Sequence, residues 1–186
     1  MNKTTLAALA LFLLARGAPA GQLAGVTLPD TVTVAGKTLR LNGMGIRTKL
    51  FFKIYVGGLY LETPARDGAA VISADQPKRI VTHYLYKKLT HDQIVEAWEE
   101  GFKANPGGEP EKLTAEIRQF ESWMTDVSAG QESIYTYEPG VGTTVEIAGQ
   151  KKGTIPGVAF MHALFRVYFG DHPPTSDLKK GLLSVN

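Results

Sequence analysis

Cysteine is absent from this 186-residue chain. That excludes disulfide staples, thiolate nucleophiles and cysteine-based zinc sites, and leaves any fold to be held by its core alone. Histidine is scarce. His83, His91, His162 and His172 stand at no metal-ligand spacing, so each is expected as a cap, surface or core residue and no metal site is predicted. No Gly-x-Ser-x-Gly elbow, phosphate loop or dinucleotide fingerprint occurs, and no cofactor is expected. There is no internal repeat, no low-complexity tract and, beyond the first twenty residues, no run long enough to span a membrane.

The first twenty residues read as a leader. Lys3 precedes the apolar run Leu6–Leu14, and Ala18-Pro19-Ala20 has the small-x-small pattern of a cleavage site. The expectation is a signal peptide over 1–20, removed after Ala20, a single domain over 21–186, and a periplasmic or secreted destination. Lys3 and Arg16 leave with the leader and no acid does, which takes the net charge from +2 to zero. A neutral mature chain offers no basic field to nucleic acid, so no nucleic-acid partner is expected. A monomer is.

What the remaining chain does contain is a switch of period, twice. Thr31–Val34 and Thr38–Leu41 flank Ala35-Gly36-Lys37 as a hairpin. Asn42–Glu62 is rich in β-formers and should supply two long strands, bending near Thr48 and Gly57-Gly58. Pro64–Ala74 reads as a loop with one helical turn, and Arg79–Tyr86 as a strand. Thr90-His91-Asp92-Gln93 is a capping box, followed by Ile94, Trp98 and Phe102 along one helical stripe. Pro110 opens a second helix, with Leu113, Ile117, Phe120 and Met124 inward and the two helices antiparallel. From Glu132 the period returns to two. Ile134–Tyr137, Thr143–Ile147 and Gly153–Ile155 make a meander, Val158–Phe169 a helix apolar on nearly every side, and Ser176-Asp177 caps a last short helix. The class is α+β, with helices packed on an antiparallel sheet.

Arg47 stands out. Met44, Ile46, Leu50, Phe51 and Phe52 around it are apolar, and no acid lies between Asp30 and Glu62. A guanidinium on an apolar strand needs a partner, because an unpaired buried charge is costly. That partner is either a distant carboxylate, such as Asp126 or Glu132, or an anionic ligand suited to the planar fork. Tyr55 could add a hydroxyl donor. The strand tyrosines Tyr60, Tyr84, Tyr86, Tyr135 and Tyr137 are expected to bury the ring and wet the hydroxyl.

Two stretches carry a family resemblance. Gly43-Met44-Gly45-Ile46-Arg47 with Lys53-Ile54-Tyr55-Val56-Gly57-Gly58-Leu59-Tyr60-Leu61-Glu62, and at the far end Phe169-Gly170-Asp171-His172 with Ser176-Asp177-Leu178-Lys179-Lys180, resemble the chalcone isomerase superfamily over roughly Gly25 to Leu183. The resemblance implies an open-faced β-sandwich, a large antiparallel sheet with helices on one face, and a cleft in which Arg47 takes the ligand-polarising position. The family's catalytic members complete that site with hydroxyl and amide side chains. Here the matching positions are Tyr55, about Thr90, about Ala97 and Val167, so most of them are replaced. An arginine–tyrosine pair is similar to the non-catalytic fatty-acid-binding members.

The expected function is therefore binding of a small apolar carboxylate by an Arg47/Tyr55 clamp, with no catalytic residue assigned. Phe160, Leu164 and Phe165 are candidate cavity walls or core, and Arg166 is expected to face solvent. Two other classes stay open. One is an isomerase or intramolecular lyase on an enone-type substrate, with Arg47 as electrophile and Tyr55 as acid. The other is a structural or partner-binding envelope protein whose arginine is satisfied internally.

Overall fold

Alternating β-branched and aromatic residues on either side of two long glycine-marked stretches place five strands ahead of the first helix in the chain. The computed structural model describes residues 21–107 and 110–185; the leader expected over residues 1–20 lies outside the described residues. Strands β1 (Gly21–Leu23), β2 (Val26–Leu28), β3 (Thr31–Val34), β4 (Lys37–Lys49) and β5 (Phe52–Leu61) come first. A short helix α1 (Gly68–Ser73) leads to β6 (Lys78–Tyr84) and β7 (Lys88–Leu89). Helix α2 (His91–Ala104), a 3-10 turn over Pro110–Leu113 and α3 (Thr114–Ser122) follow. After β8 (Val127–Ser128) come β9 (Glu132–Glu138), β10 (Gly142–Ile147) and β11 (Gln150–Pro156), then α4 (Val158–Phe169) and α5 (Ser176–Leu182).

Seven strands make one antiparallel sheet in the order β11-β10-β9-β6-β5-β4-β3. The expected α+β class and large antiparallel sheet are what the chain forms. The expected hairpin at Ala35-Gly36 is present, but β4 does not stop at Leu41. It starts at Lys37 and runs through to Lys49, because Asn42 is absorbed as a bulge. The meander is as expected, with its second turn shortened to Ala148-Gly149. Both residues there have positive φ, as do Ala24-Gly25 and Ala35-Gly36, the backbone that two-residue hairpins require. The lead-in is also more than a lead-in. β1 and β2 pair with each other, and Val26 and Leu28 join Val34, Leu39, Val56, Tyr60 and Val81 in a small core on the sheet's second face.

The main core lies on the other face, under the helices. Thr90 and Gln93 form the expected capping box, each side chain on the other's amide. Trp98 on α2, Phe120 on α3, Tyr135 on β9 and Tyr168 on α4 make edge-to-face contacts at 4.8–5.8 Å, pairs worth roughly 1 kcal/mol each beyond area burial. α4 buries Phe160, Met161, Leu164, Phe165, Val167, Tyr168 and Phe169, which is why its sequence shows so little amphipathic pattern. Two starts move. α3 proper begins one turn after Pro110, at Thr114. α5 is capped by Thr175, whose hydroxyl accepts from the Leu178 amide, and not by Ser176-Asp177.

The glycine motif has a packing reason. A Cβ on Gly43 or Gly45 would fall under 3.0 Å from backbone atoms of Gly181, Leu182 or Leu178, and one on Gly181 would do the same to Met44. Backbone therefore touches backbone where α5 rests on β4. Gly57-Gly58, where a bend is expected from sequence, keeps an unbroken register with both neighbouring strands. The β4–β5 register shifts at Asn42 and between Arg47 and Thr48, while Gly57 and Gly58 make room for Leu178 and Leu28 on opposite faces.

Candidate functional site

The second register shift builds the site. Arg47 pairs with Tyr55 and Thr48 with Lys53, so Ile54 is the unpaired bulge residue. Two consecutive residues, Ile54 and Tyr55, then face the helix-covered side. Tyr55 pairs onward with Tyr84 of β6, so Arg47, Tyr55 and Tyr84 form a row across three strands. The Arg47 guanidinium carbon lies 5.8 Å from the Tyr55 ring centroid, and the Tyr55 and Tyr84 rings meet edge to face at 6.1 Å.

Above this row opens a cleft of about 330 Å³, at the small end of the range for small-molecule sites. Gln93, Ile94, Glu96, Ala97 and Trp98 of α2 form one wall, and Val167 and Tyr168 of α4 another. These helices come close because Gly101 leaves room for Val167. Lys49, Leu50 and Phe52 stand at the hairpin end, where the Phe52 ring meets Tyr86 edge to face at 5.6 Å.

Electrostatically the cleft sets the half-buried Arg47 among neutral phenols, with Lys49 and Glu96 also on its lining. Among the described residues Arg47 makes no ion pair. Glu96 on α2 shares the cleft without pairing with it, and the two acids expected from sequence as its partners are engaged elsewhere. Asp126 pairs with Lys88 at 2.8 Å and accepts from the His91 amide, and Glu132 pairs with His83 at 2.9 Å. Burial pushes the Tyr55 hydroxyl up to about 12, with Arg47 drawing it part of the way back. Burial also raises Tyr84, and raises Tyr135 and Tyr168 well above the usual phenol range. All four line the cleft as protonated phenols, able to donate. No group of three His, Asp or Glu side chains among the described residues could hold a metal ion.

The structure thus brings Arg47 and Tyr55 together on one cleft wall. It does not bring Phe160, Leu164 or Phe165 there; all three are fully buried in the core, nearer the start of α4 than the cleft-lining Val167 and Tyr168. Thr90 is spent on capping α2, while Ala97 and Val167 line the cleft with methyl groups only. Arg166 faces neither cleft nor open solvent. Half-buried, it donates to the Gly107 carbonyl at 2.8 Å and ties α4 to the segment after α2. The tyrosine hydroxyls are less wet than expected: Tyr60 donates to the Pro29 carbonyl, Tyr137 to Asp75, and Tyr84 meets the Ser133 hydroxyl. Tyr84, Trp98, Gln93 and Tyr168 were not singled out from sequence as cleft residues. Period-two spacing from Ile80 could have placed Tyr84 on the core face. Nothing local marks Tyr168, whose position depends on how α4 crosses the sheet.

Comparison with known proteins agrees with this architecture. A model of the chalcone isomerase-like family matches residues 20–184. The chain belongs to the chalcone isomerase-like family. Among solved structures, the fatty-acid binding protein of Arabidopsis thaliana shares the fold with a TM-score of 0.67, covering 89% of this chain and 96% of that one at 17% sequence identity. No curated protein matches the chain.

Proposed function

We propose that this chain, exported and processed after Ala20, binds a small apolar carboxylate of the fatty-acid type without turning it over. The observation that carries the reading is Arg47: a half-buried guanidinium that makes no ion pair among the described residues, at the wall of an apolar cleft. Its fork suits a carboxylate, and charge-assisted hydrogen bonds are about twice as strong as neutral ones. Tyr55 stays protonated to about 12 and donates beside it. Trp98, Ile94, Ile54 and Val167 give the tail an apolar lining. The structural neighbour's fatty-acid binding supports the class of ligand. Isomerisation is not favoured by any specific feature, because the positions matching the family's catalytic hydroxyl and amide groups present the methyl groups of Ala97 and Val167.

With one methylene taking about the volume of one water, ~30 Å³, the cleft holds a chain on the order of ten carbons. Dodecanoate is therefore the probe. Calorimetric titration is expected to show one site in the wild type and a loss of about 10- to 100-fold in Arg47→Ala, the worth of one charge-assisted hydrogen-bonding group. An unchanged affinity in Arg47→Ala, or no dodecanoate binding by the wild type, overturns the reading.

A further inference from the structure

The β4–β5 hairpin ends in Lys49-Leu50-Phe51-Phe52-Lys53, and its apolar residues leave most of their surface in water. Leu50 is 83% exposed, Phe51 96% and Phe52 55%, the largest exposures of big apolar side chains among the described residues. Leu50 also has φ +56°. The other described non-glycine residues with positive φ are three alanines and a serine. A leucine in a strained turn that leaves most of its surface in water adds little to the fold's stability, which points to a reason outside the chain's own packing.

We infer that this tip is a docking point for an anionic phospholipid bilayer, which loads and unloads the cleft directly. Three observations select that partner. Exposed Lys49 and Lys53 flank the apolar residues, and exposed Lys87 follows Tyr86, whose ring touches Phe52; apolar side chains within a basic rim match the acyl and headgroup layers of an anionic membrane surface. The exposed apolar run is three residues long, far from the ~800 Å² per partner that a stable protein interface needs. Finally, Lys49, Leu50 and Phe52 line the cleft itself, so a ligand leaving the bilayer beside them reaches Arg47 without crossing water. Glu96 is the acid on the cleft wall, on α2 opposite the hairpin, and Asp126 is neutralised by Lys88. The loading role rests on the fatty-acid reading above; the docking does not.

Residues 21–185 carry the whole sheet and both cores, so the test uses the chain from Gly21, without fatty acid, floated with vesicles of phosphatidylcholine alone or mixed equally with phosphatidylglycerol. The wild type is expected to float with the mixed vesicles. Phe51→Asp, at a residue that does not line the cleft, is expected to lower partitioning about tenfold or more, as loss of a buried aromatic implies. Lys53→Gln is expected to lower it about fivefold on mixed vesicles and little on neutral ones. A wild type that stays unbound on both vesicles overturns the inference, as does equal flotation by Phe51→Asp. So does a wild-type dimer that Phe51→Asp dissociates, since a second copy then covers the tip. In a second arm, transfer of a fluorescent fatty acid from vesicles is expected to speed up with vesicle concentration in the wild type only, with equal dodecanoate affinity in Phe51→Asp. Flotation without dodecanoate binding leaves the docking standing and removes the fatty-acid reading; the reverse removes the docking alone.

Discussion

The helix-covered face of the sheet is solid at one end and hollow at the other, and each end sets a cation over aromatic rings. At the solid end, the Lys78 ammonium lies 4.9 Å from the Phe165 ring and 5.9 Å from Tyr137. Fully buried, it donates to the carbonyls of Val71 and Ile72 at the end of α1. At the hollow end, Arg47 lies 5.8 Å from Tyr55 and opens into the cleft, without an ion pair among the described residues. A cation over an aromatic ring is therefore no sign of a site by itself. What separates the two is where the donors go: Lys78 spends them on a helix terminus, and Arg47 has space in front of it.

If that division holds, a large core truncation at the solid end disturbs stability and leaves the hollow end intact. Phe160 sits fully buried against Phe102 and Phe120. Phe160→Ala is expected to cost about 3–5 kcal/mol in urea unfolding. Dodecanoate affinity, measured where the variant is still folded, is expected to stay within about twofold of wild type, as for independent sites. A tenfold loss would put Phe160 back among the cleft walls and break the comparison.

Phe160 also marks the limit of what the sequence allowed. The flanking glycines placed α4 to the residue, because twelve residues with no β-turn chemistry lie between Gly157 and Gly170. They could not say which side of an all-apolar helix faces a cavity, since that follows from how α4 crosses the sheet. Arg47 and Tyr55 were legible because a lone guanidinium among β-formers, with no acid between Asp30 and Glu62, contradicts its surroundings. Their meeting on one face was not legible from alternation alone. It depends on the bulge at Ile54, and a bulge costs one residue that leaves no mark in the sequence. The resemblance supplied the fold; the shift at Asn42 and the thread of β1–β2 on the second face came only from the coordinates.

A middle-sized effect separates the two cations by pH. Burial pushes Lys78 down to about 8 from 10.5, with Asp75 pulling it back up. Its folded value lies below its unfolded one, so between these limits the unfolded chain binds more protons and stability rises with pH. The raised tyrosines act in the opposite direction: their contribution is complete below about pH 10 and is lost as the pH climbs toward their folded values. Comparing wild type with Lys78→Met cancels the tyrosines. The wild type's stability relative to Lys78→Met is expected to grow by about 2 kcal/mol from pH 8 to 10 in urea titrations. A constant difference would mean that the two carbonyls of α1 hold the ammonium at its ordinary value, and that the solid end accommodates its charge as easily as the hollow end.

The smallest expected effect sharpens the hollow end. Tyr55→Phe removes one hydroxyl from the row while keeping the ring that lies under Arg47 and against Tyr84. The Tyr84 hydroxyl is held by Ser133, which leaves the phenol of Tyr168 on the same cleft to compensate part of the loss. Dodecanoate affinity is expected to fall about fivefold, near 1 kcal/mol, the net worth of one hydrogen bond, with stability little changed. The pH profile checks the role. A phenol at its ordinary value of about 10 would ionise by then and repel a carboxylate. Because burial holds Tyr55 at about 12, wild-type affinity is expected to stay level from pH 7 through 10, and the gap to Tyr55→Phe to stay constant with it. A wild-type affinity that falls to the Tyr55→Phe value by pH 10 would show a phenol open to water, and the clamp would reduce to Arg47 alone.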